Sequence, residues 1–211
     1  MSKGLSSTDE TLFWRRGPGP ASLPCSEVHI WRLRLDLPPD RVRQACRESL
    51  LVLLGRYAGL PPGQVRLNSG PFGKPALEPP AGGKDIQFNL SHSGRVALIA
   101  LAAGRRVGVD VEEIRGDVRM DVLAQDFFSA QERESLRGLE GEAKTRMFYA
   151  AWTRREAAIK AFGGSVTQPA PGAPAESQWH REDMLVGEGY VAALCCEGTP
   201  ARILFWEWEN A

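Results

Sequence analysis

The chain has no net charge to speak of: its 26 lysines and arginines are balanced by 26 aspartates and glutamates. Without a global field there is no sequence-wide attraction for nucleic acid or an anionic membrane, so a charged ligand must be held by a local site. Long hydrophobic runs are also missing. No apolar stretch approaches the roughly 20 residues that span a bilayer, and the polar residues 1–10 contain no h-region of a secretory signal. Cysteine is sparse: Cys25, Cys46, Cys195 and Cys196 form no disulfide framework, and no Cys-x-x-Cys metal spacing occurs. Cys195 and Cys196 sit in an apolar, strand-like run and read as buried free thiols. These absences exclude a disulfide-stapled scaffold, a membrane-spanning helix and a bulk-charge nucleic-acid binder. The expectation is a cytoplasmic globular protein.

What is there is enough for a core, with 43% hydrophobic and 25% charged residues over 211 positions. Alternating apolar residues over 28–35 predict a strand. Pro38, Pro39 and Asp40 then open a helix whose apolar face is Val42, Cys46, Leu50, Leu53, Leu54 and Tyr57, stopped by Gly59, Pro61 and Pro62. Residues 67–84, rich in Gly and Pro, read as a loop-dominated segment. Strands follow over 86–89, 96–102 and 106–112, with a turn at Ser93-Gly94. Helical pattern runs over 118–139, with Ser129-Ala-Gln-Glu132 as a capping box that starts a new helix, and again over 142–162. Residues 1–24 and 163–177 read as loop, and 190–196 and 203–208 as closing strands. The class is α+β, without a sequence repeat.

Two segments carry chemistry. On a strand, Val107, Val109 and Val111 share one face and Gly108, Asp110 and Glu112 the other, with the two acids roughly 7 Å apart at their α-carbons. Two acids on one face repel unless a cation joins them, and Mg²⁺ takes a few carboxylates together with phosphate oxygens and water. The plain alternative is the solvated face of an edge strand. In the second segment, Phe148, Trp152, Ile159 and Phe162 form a helical stripe, with Glu156 and Lys160 together on its flank. The alternative there is a surface i,i+4 ion pair worth a few tenths of a kcal/mol. Arg155 falls inside the stripe, which is costly unless its head reaches an anion or water. Three acids and a lysine are the equipment of metal-assisted phosphoryl chemistry. The usual phosphate loops do not fit: Gly73-Lys74 is followed by Pro75, Asn68 stands where a P-loop needs its first glycine, and no Gly-x-Gly-x-x-Gly follows a strand. Phe88-Asn-Leu-Ser91-His92-Ser93 ends a strand with hydroxyls and an imidazole, groups that cradle phosphate or cap a turn.

Gly73-Lys74-Pro75, Phe88-Asn-Leu-Ser-His-Ser93, Gly108-Val-Asp110-Val-Glu112 and Trp152-Thr-Arg-Arg-Glu156-Ala-Ala-Ile-Lys160 stand in the order found in Sfp-type 4′-phosphopantetheinyl transferases, which the chain resembles. The resemblance implies two similar α+β halves in a pseudo-twofold arrangement, here residues 1–104 and 105–211, with coenzyme A between them. It implies Mg²⁺, or Mn²⁺ in its place, held by Asp110, Glu112 and Glu156. Glu156 is then also the base for a serine of an apo acyl or peptidyl carrier protein, and Lys160 the contact to the coenzyme A phosphates. Lys74, Ser91 and His92 match positions around the 3′-phosphoadenosine end, and Arg155 takes a place near the cofactor. The implied protein is a cytoplasmic monomer that binds neither nucleic acid nor membrane.

The chain departs from that pattern in places. Arg155 replaces the lysine usual before the glutamate of the Trp/Lys-Glu-Ala subgroup, keeping the charge but changing its geometry. After Lys160, Gly163-Gly164-Ser165 lacks the second spaced glycine. The N-terminal basic residues that grip the 3′-phosphate have Arg15, Arg16, Arg32 and Arg34 as candidates. Two readings from other classes compete: a metal-dependent nuclease, for which no basic stripe exists, and a carrier-protein-binding module without catalysis, for which no acid is missing.

Overall fold

Apolar alternation and glycine punctuation set most of the element boundaries in the computed structural model, which describes residues 14–70, 73–78, 83, 85–116, 118–163 and 178–209. Residues 1–13 of the loop or arm expected at 1–24, and residues 164–177 of the loop expected at 163–177, including Gly164 and Ser165, lie outside the described residues, while Trp14–Arg15 of the expected arm form a short strand. In chain order the elements are β1 (Trp14–Arg15), β2 (Glu27–Arg34), α1 (Pro39–Ala58), β3 (Leu67–Ser69), β4 (Pro75–Leu77), β5 (Ile86–Ser93), β6 (Val96–Ala103), β7 (Val107–Glu113), α2 (Met120–Phe127), α3 (Ala130–Leu136), α4 (Gly141–Phe162), β8 (Trp179–Met184), β9 (Tyr190–Glu197) and β10 (Arg202–Trp208). The class is α+β, as the sequence indicates.

Local chemistry explains the ends. Helix α1 begins with proline in its first turn and Asp40 beside the positive end of its dipole, and stops at Gly59 in the left-handed region (φ 69°). All six residues of its expected apolar face are buried. Helix α3 begins at the expected capping box: Ser129 Oγ accepts from Glu132 N at 3.2 Å, and Glu132 Oε2 accepts from Ser129 N at 2.7 Å. Within the loop-dominated residues 67–84, strands β3 and β4 pair antiparallel, Leu67 opposite Leu77, and Gly70 N donates to Lys74 O at 2.8 Å just beyond the paired residues.

A five-stranded sheet has the order β1-β10-β2-β6-β5, and a three-stranded sheet the order β7-β9-β8. Within these, strand–helix–strand–strand segments repeat. β2 pairs antiparallel with β6 and β6 with β5, just as β7 pairs antiparallel with β9 and β9 with β8. The similarity lies in pairing, which is why no sequence repeat advertises it. Pairing crosses the expected boundary at residue 104 once: β10, at the far end of the chain, lies parallel to both β1 and β2.

Alternation on β2 divides the core. Trp31, Leu33 and Leu35 pack with α1, while Val28 and Ile30 join Leu98, Ala100, Val107, Val109, Val111 and Leu194 in a core shared by the two sheets. The valine face of β7 therefore looks into the shared core. Its other face, with Gly108, Asp110 and Glu112, looks toward α4. Cys195 and Cys196 are buried free thiols, as expected of that apolar run. Among the described residues, no helix is long and apolar enough to cross a membrane.

Candidate active site

Helix α4 crosses β7 at Gly108. A β-carbon there would lie 2.1 Å from Ala157 O and 2.3 Å from Ala161 N, so only glycine lets backbone approach backbone. Ala157 and Ala161 are buried at this crossing with Ala193 and Cys195 of β9. The expected stripe of large residues on α4 is thereby corrected. Phe148 and Trp152 stack at 6.1 Å in a separate cluster with α2 and α3, Phe162 leans on Trp179 at 4.3 Å, and Ile159 is half-buried. Ala157 and Ala161, not the large residues, make the sheet contact.

That close crossing brings Lys160 to Asp110. Asp110 is 2% exposed. Its Oδ1 accepts from Lys160 Nζ at 2.6 Å and from Ser91 Oγ at 2.8 Å, while its Oδ2 is buried without a hydrogen-bond partner. Glu112 Oε2 accepts from Ser93 Oγ at 2.8 Å. Burial raises the Asp110 carboxyl above its ordinary range, against the opposing pull of Lys160. Burial likewise raises Glu112, and the Asp110 charge adds to the effect. Glu156, half-buried on α4, is raised first by burial and further by the charges of Asp110 and Glu112, with Lys160 opposing. The three acids therefore form one electrostatic cluster. Among the described residues, however, no three acidic, histidine or cysteine side chains converge at metal-ligating distance. In this arrangement the Lys160 ammonium supplies the compensating charge.

Beside the cluster lies a cavity of about 310 Å³, whose lining includes Arg43, Arg47, Lys74, Phe88 and His92. Lys74 Nζ donates to Val107 O at 2.8 Å, and burial lowers its pKa to about 8, aided by the Arg106 charge. Burial also lowers the His92 pKa, and the charges of Arg43 and Lys160 reinforce this. Lys160 thus bonds the acid cluster while its charge reaches His92 in the lining of the basic cavity. An anion with a multivalent phosphate group fits such a junction, its cation-binding portion toward the acids and its remaining charge toward the bases.

Comparison with known proteins gives the chain's family. The family description "4′-phosphopantetheinyl transferase superfamily" matches residues 106–195. The 4′-phosphopantetheinyl transferase HetI of Nostoc sp. is 30% identical over 92% of this chain and 98% of its own. The chain belongs to the 4′-phosphopantetheinyl transferase superfamily. Two further members of that superfamily are less completely covered. AcpT of Salmonella typhi is 36% identical over 62% of this chain and 65% of its own, and Sfp of Bacillus subtilis (strain 168) is 28% identical over 56% and 50%.

For a chain of this superfamily, most residues singled out in the sequence lie together. Asp110, Lys160 and Ser91 share hydrogen bonds, Glu112 and Glu156 join them electrostatically, and Lys74 and His92 line the cavity. Ser91 is turned to the acids: its hydroxyl donates to Asp110 and accepts from Lys160 Nζ at 3.1 Å. Arg155 is half-buried, with an Nε that has no hydrogen-bond partner. The N-terminal arginines are elsewhere. Arg32 binds Glu207 Oε2 at 2.6 Å and Val186 O at 2.8 Å, Arg16 and Arg34 line a second cavity together with Arg32, Trp14 and Glu207, and Arg15 lies over Trp206. Strand alternation puts Arg32 and Arg34 on the face of β2 away from α1. The cavity takes Arg43 and Arg47 from α1 instead. Their i,i+4 spacing beside the apolar face was the available signal.

Proposed function

We propose that this chain transfers the 4′-phosphopantetheine group of coenzyme A to a serine hydroxyl of an apo carrier protein, releasing adenosine 3′,5′-bisphosphate. Family membership supports transferase activity, and the similarity to the 4′-phosphopantetheinyl transferases HetI, AcpT and Sfp supports the phosphopantetheinyl group. The observation that carries the assignment of roles is Asp110: almost fully buried, with an unpartnered Oδ2, between Lys160 and two further acids. A buried carboxylate oxygen without a donor fits a cation ligand.

The oxygen donors of Asp110, Glu112 and Glu156 suit Mg²⁺ or Mn²⁺, and these three residues would hold it once Lys160 turns away. Bound there, such an ion would neutralise the charge of the coenzyme A diphosphate. Glu156, whose proton affinity is raised by burial and by its acidic neighbours, is the base that takes the proton from the attacking serine. The serine oxygen forms the new bond to the phosphorus nearest the pantetheine arm, and the bond from that phosphorus to the leaving nucleotide's phosphate oxygen breaks. Lys160, released toward the cavity, balances the charge on the departing bisphosphate. Lys74 and His92, together with Arg43 and Arg47, receive the 3′-phosphoadenosine end. Arg155 stands beside Glu156 and lowers its proton affinity slightly.

The same proposal places the chain in the Sfp-type, Trp/Lys-Glu-Ala-like subgroup, with Arg155 for the lysine. It divides the chain into halves at residues 1–104 and 105–211, which the repeated sheet order supports and the crossing of β10 qualifies. It further takes the protein to be a cytoplasmic monomer serving acyl or peptidyl carrier proteins. Incubation with coenzyme A, Mg²⁺ and a panel of apo acyl and peptidyl carrier proteins tests it. One phosphopantetheine added to a carrier serine, read by mass, is the expected result. Unmodified carriers across the panel, with the protein folded, would refute the activity.

A further inference from the structure

β5 and β7 are the edge strands of two different sheets, and they meet without backbone pairing. Side chains on alternate positions of β5 close the seam. Asn89 Oδ1 accepts from Val109 N at 2.9 Å, Ser91 Oγ from Val111 N at 3.4 Å and Ser93 Oγ from Glu113 N at 3.1 Å. An amide row on an exposed edge would otherwise need water or another strand.

The rungs have a second consequence. A serine hydroxyl carries one proton and two lone pairs. Once the β7 amide fixes the acceptor side, the proton is directed to the acid of the preceding residue: Ser91 to Asp110 Oδ1 and Ser93 to Glu112 Oε2, each at 2.8 Å. Ser91 also receives Lys160. Among the described residues Ser93 has no such cation on its oxygen, and it is 9% exposed, so its bond to Glu112 is the simpler of the two.

We propose that Ser93 is a positioning residue for Glu112: through the seam it holds that carboxylate in the orientation from which it ligates the divalent cation. This rests on the transferase reading above. Removing the hydroxyl would leave Glu112 free to rotate and the Glu113 amide unpaired, and loss of an outer-shell partner typically weakens metal binding by about 10–100-fold.

The test uses the full chain with coenzyme A and follows Mn²⁺ affinity by electron paramagnetic resonance, together with the Mg²⁺ dependence of transfer. Ser93→Ala is expected to weaken Mn²⁺ binding by about tenfold and to raise the half-saturating Mg²⁺ concentration equally. The KM for coenzyme A should change by less than about twofold, and Ser93→Thr should restore the metal affinity. Asn89→Ala breaks a rung that touches no acid. It should lower the thermal midpoint as Ser93→Ala does and leave Mn²⁺ affinity at the wild-type value. If Ser93→Ala does not fold, Ser93→Cys keeps the shape with a weaker donor, and the same loss is expected of it. Wild-type Mn²⁺ affinity in the folded Ser93 variant, or equal weakening in the Ser93 and Asn89 variants, would overturn the inference while leaving the transferase reading intact. A wild-type chain that neither binds Mn²⁺ nor modifies any carrier would overturn both.

Discussion

Lys74 is an ammonium held beside a backbone carbonyl and largely out of water, with a pKa lowered to about 8. If its charge holds a phosphate of coenzyme A, affinity should fall as pH rises past that value. The KM for coenzyme A is expected to climb by up to about tenfold per pH unit above about 8, with kcat less affected. Lys74→Arg, whose charge persists, should flatten the profile. A wild-type KM constant from pH 7 to 9.5 would remove Lys74 from the binding site. Unfolding does not mimic this trend. The folded pKa lies below the ordinary 10.5, so between about 8 and 10.5 the unfolded chain binds more protons and this group's contribution to stability rises with pH. Asp110 gives the sharper test. Asp110→Asn keeps the shape and the Ser91 contact but loses the charge, and transfer is expected to fall by at least about a thousandfold in a protein that still melts cooperatively. Near-normal turnover would end its assignment as a cation ligand. Asp110, Glu112, Glu156 and Lys160 could be singled out from the sequence because strand and helix periodicity translates each into a face, and the family resemblance chose between a site there and a plain solvated face. Ser93's bond to Glu112 and the placing of Arg43 and Arg47 could not be, since they depend on which strand edges meet and which side of α1 borders β5.

Among the elements, α1 and α4 could be read almost to the residue, because long periodic runs end at Gly59 and Gly163, both in the left-handed region. The short strands could not. β8 spells Trp-His-Arg-Glu-Asp-Met, with only its end residues buried, so hydrophobic alternation has nothing to register. β3 and β4 are three residues each within a Gly/Pro-rich stretch. The crossing of α4 over β7 was hidden for a different reason: it is made by a glycine and two alanines, which carry little hydropathy signal although they set the distance between Asp110 and Lys160. Gly108→Ala puts a β-carbon within 2.1 Å of Ala157 O, and backbone cannot yield as a flexible side chain does. The expected cost is about 2–3 kcal/mol, as for overpacking elsewhere, read from denaturant unfolding. Because α4 must move outward, transfer should fall further than the lost stability explains at temperatures where the variant is fully folded. A variant with wild-type stability and turnover would show that the crossing does not govern the site.

At the scale of the whole molecule, the chain binds its two sheets together by sending its last described strand back to the first. β10 lies between β1 and β2, parallel to both, so a division at residue 104 leaves β2 with an open edge. Side-chain contacts go with it. Trp31 stacks on Trp206 at 5.7 Å and meets Trp208 edge-on; Arg32 pairs with Glu207; and buried Glu27, which also bonds His29 at 2.9 Å, pairs with Arg202. Losing β10 thus exposes a core tryptophan, leaves Arg32 without Glu207, and strips β2 of a full ladder of hydrogen bonds. The shared core between the sheets is lost at the same cut, since Val28, Ile30 and Leu98 pack against Val107, Val109 and Leu194. A fragment of residues 1–104 is therefore expected to lack a cooperative thermal transition and to aggregate, despite containing α1 and most of the first sheet. Co-expression with residues 105–211 should recover a soluble complex, and the intact chain should unfold in a single transition by far- and near-ultraviolet circular dichroism alike. A 1–104 fragment that melts cooperatively by itself would mean the first half holds its own core, and that β10 decorates the sheet without completing it.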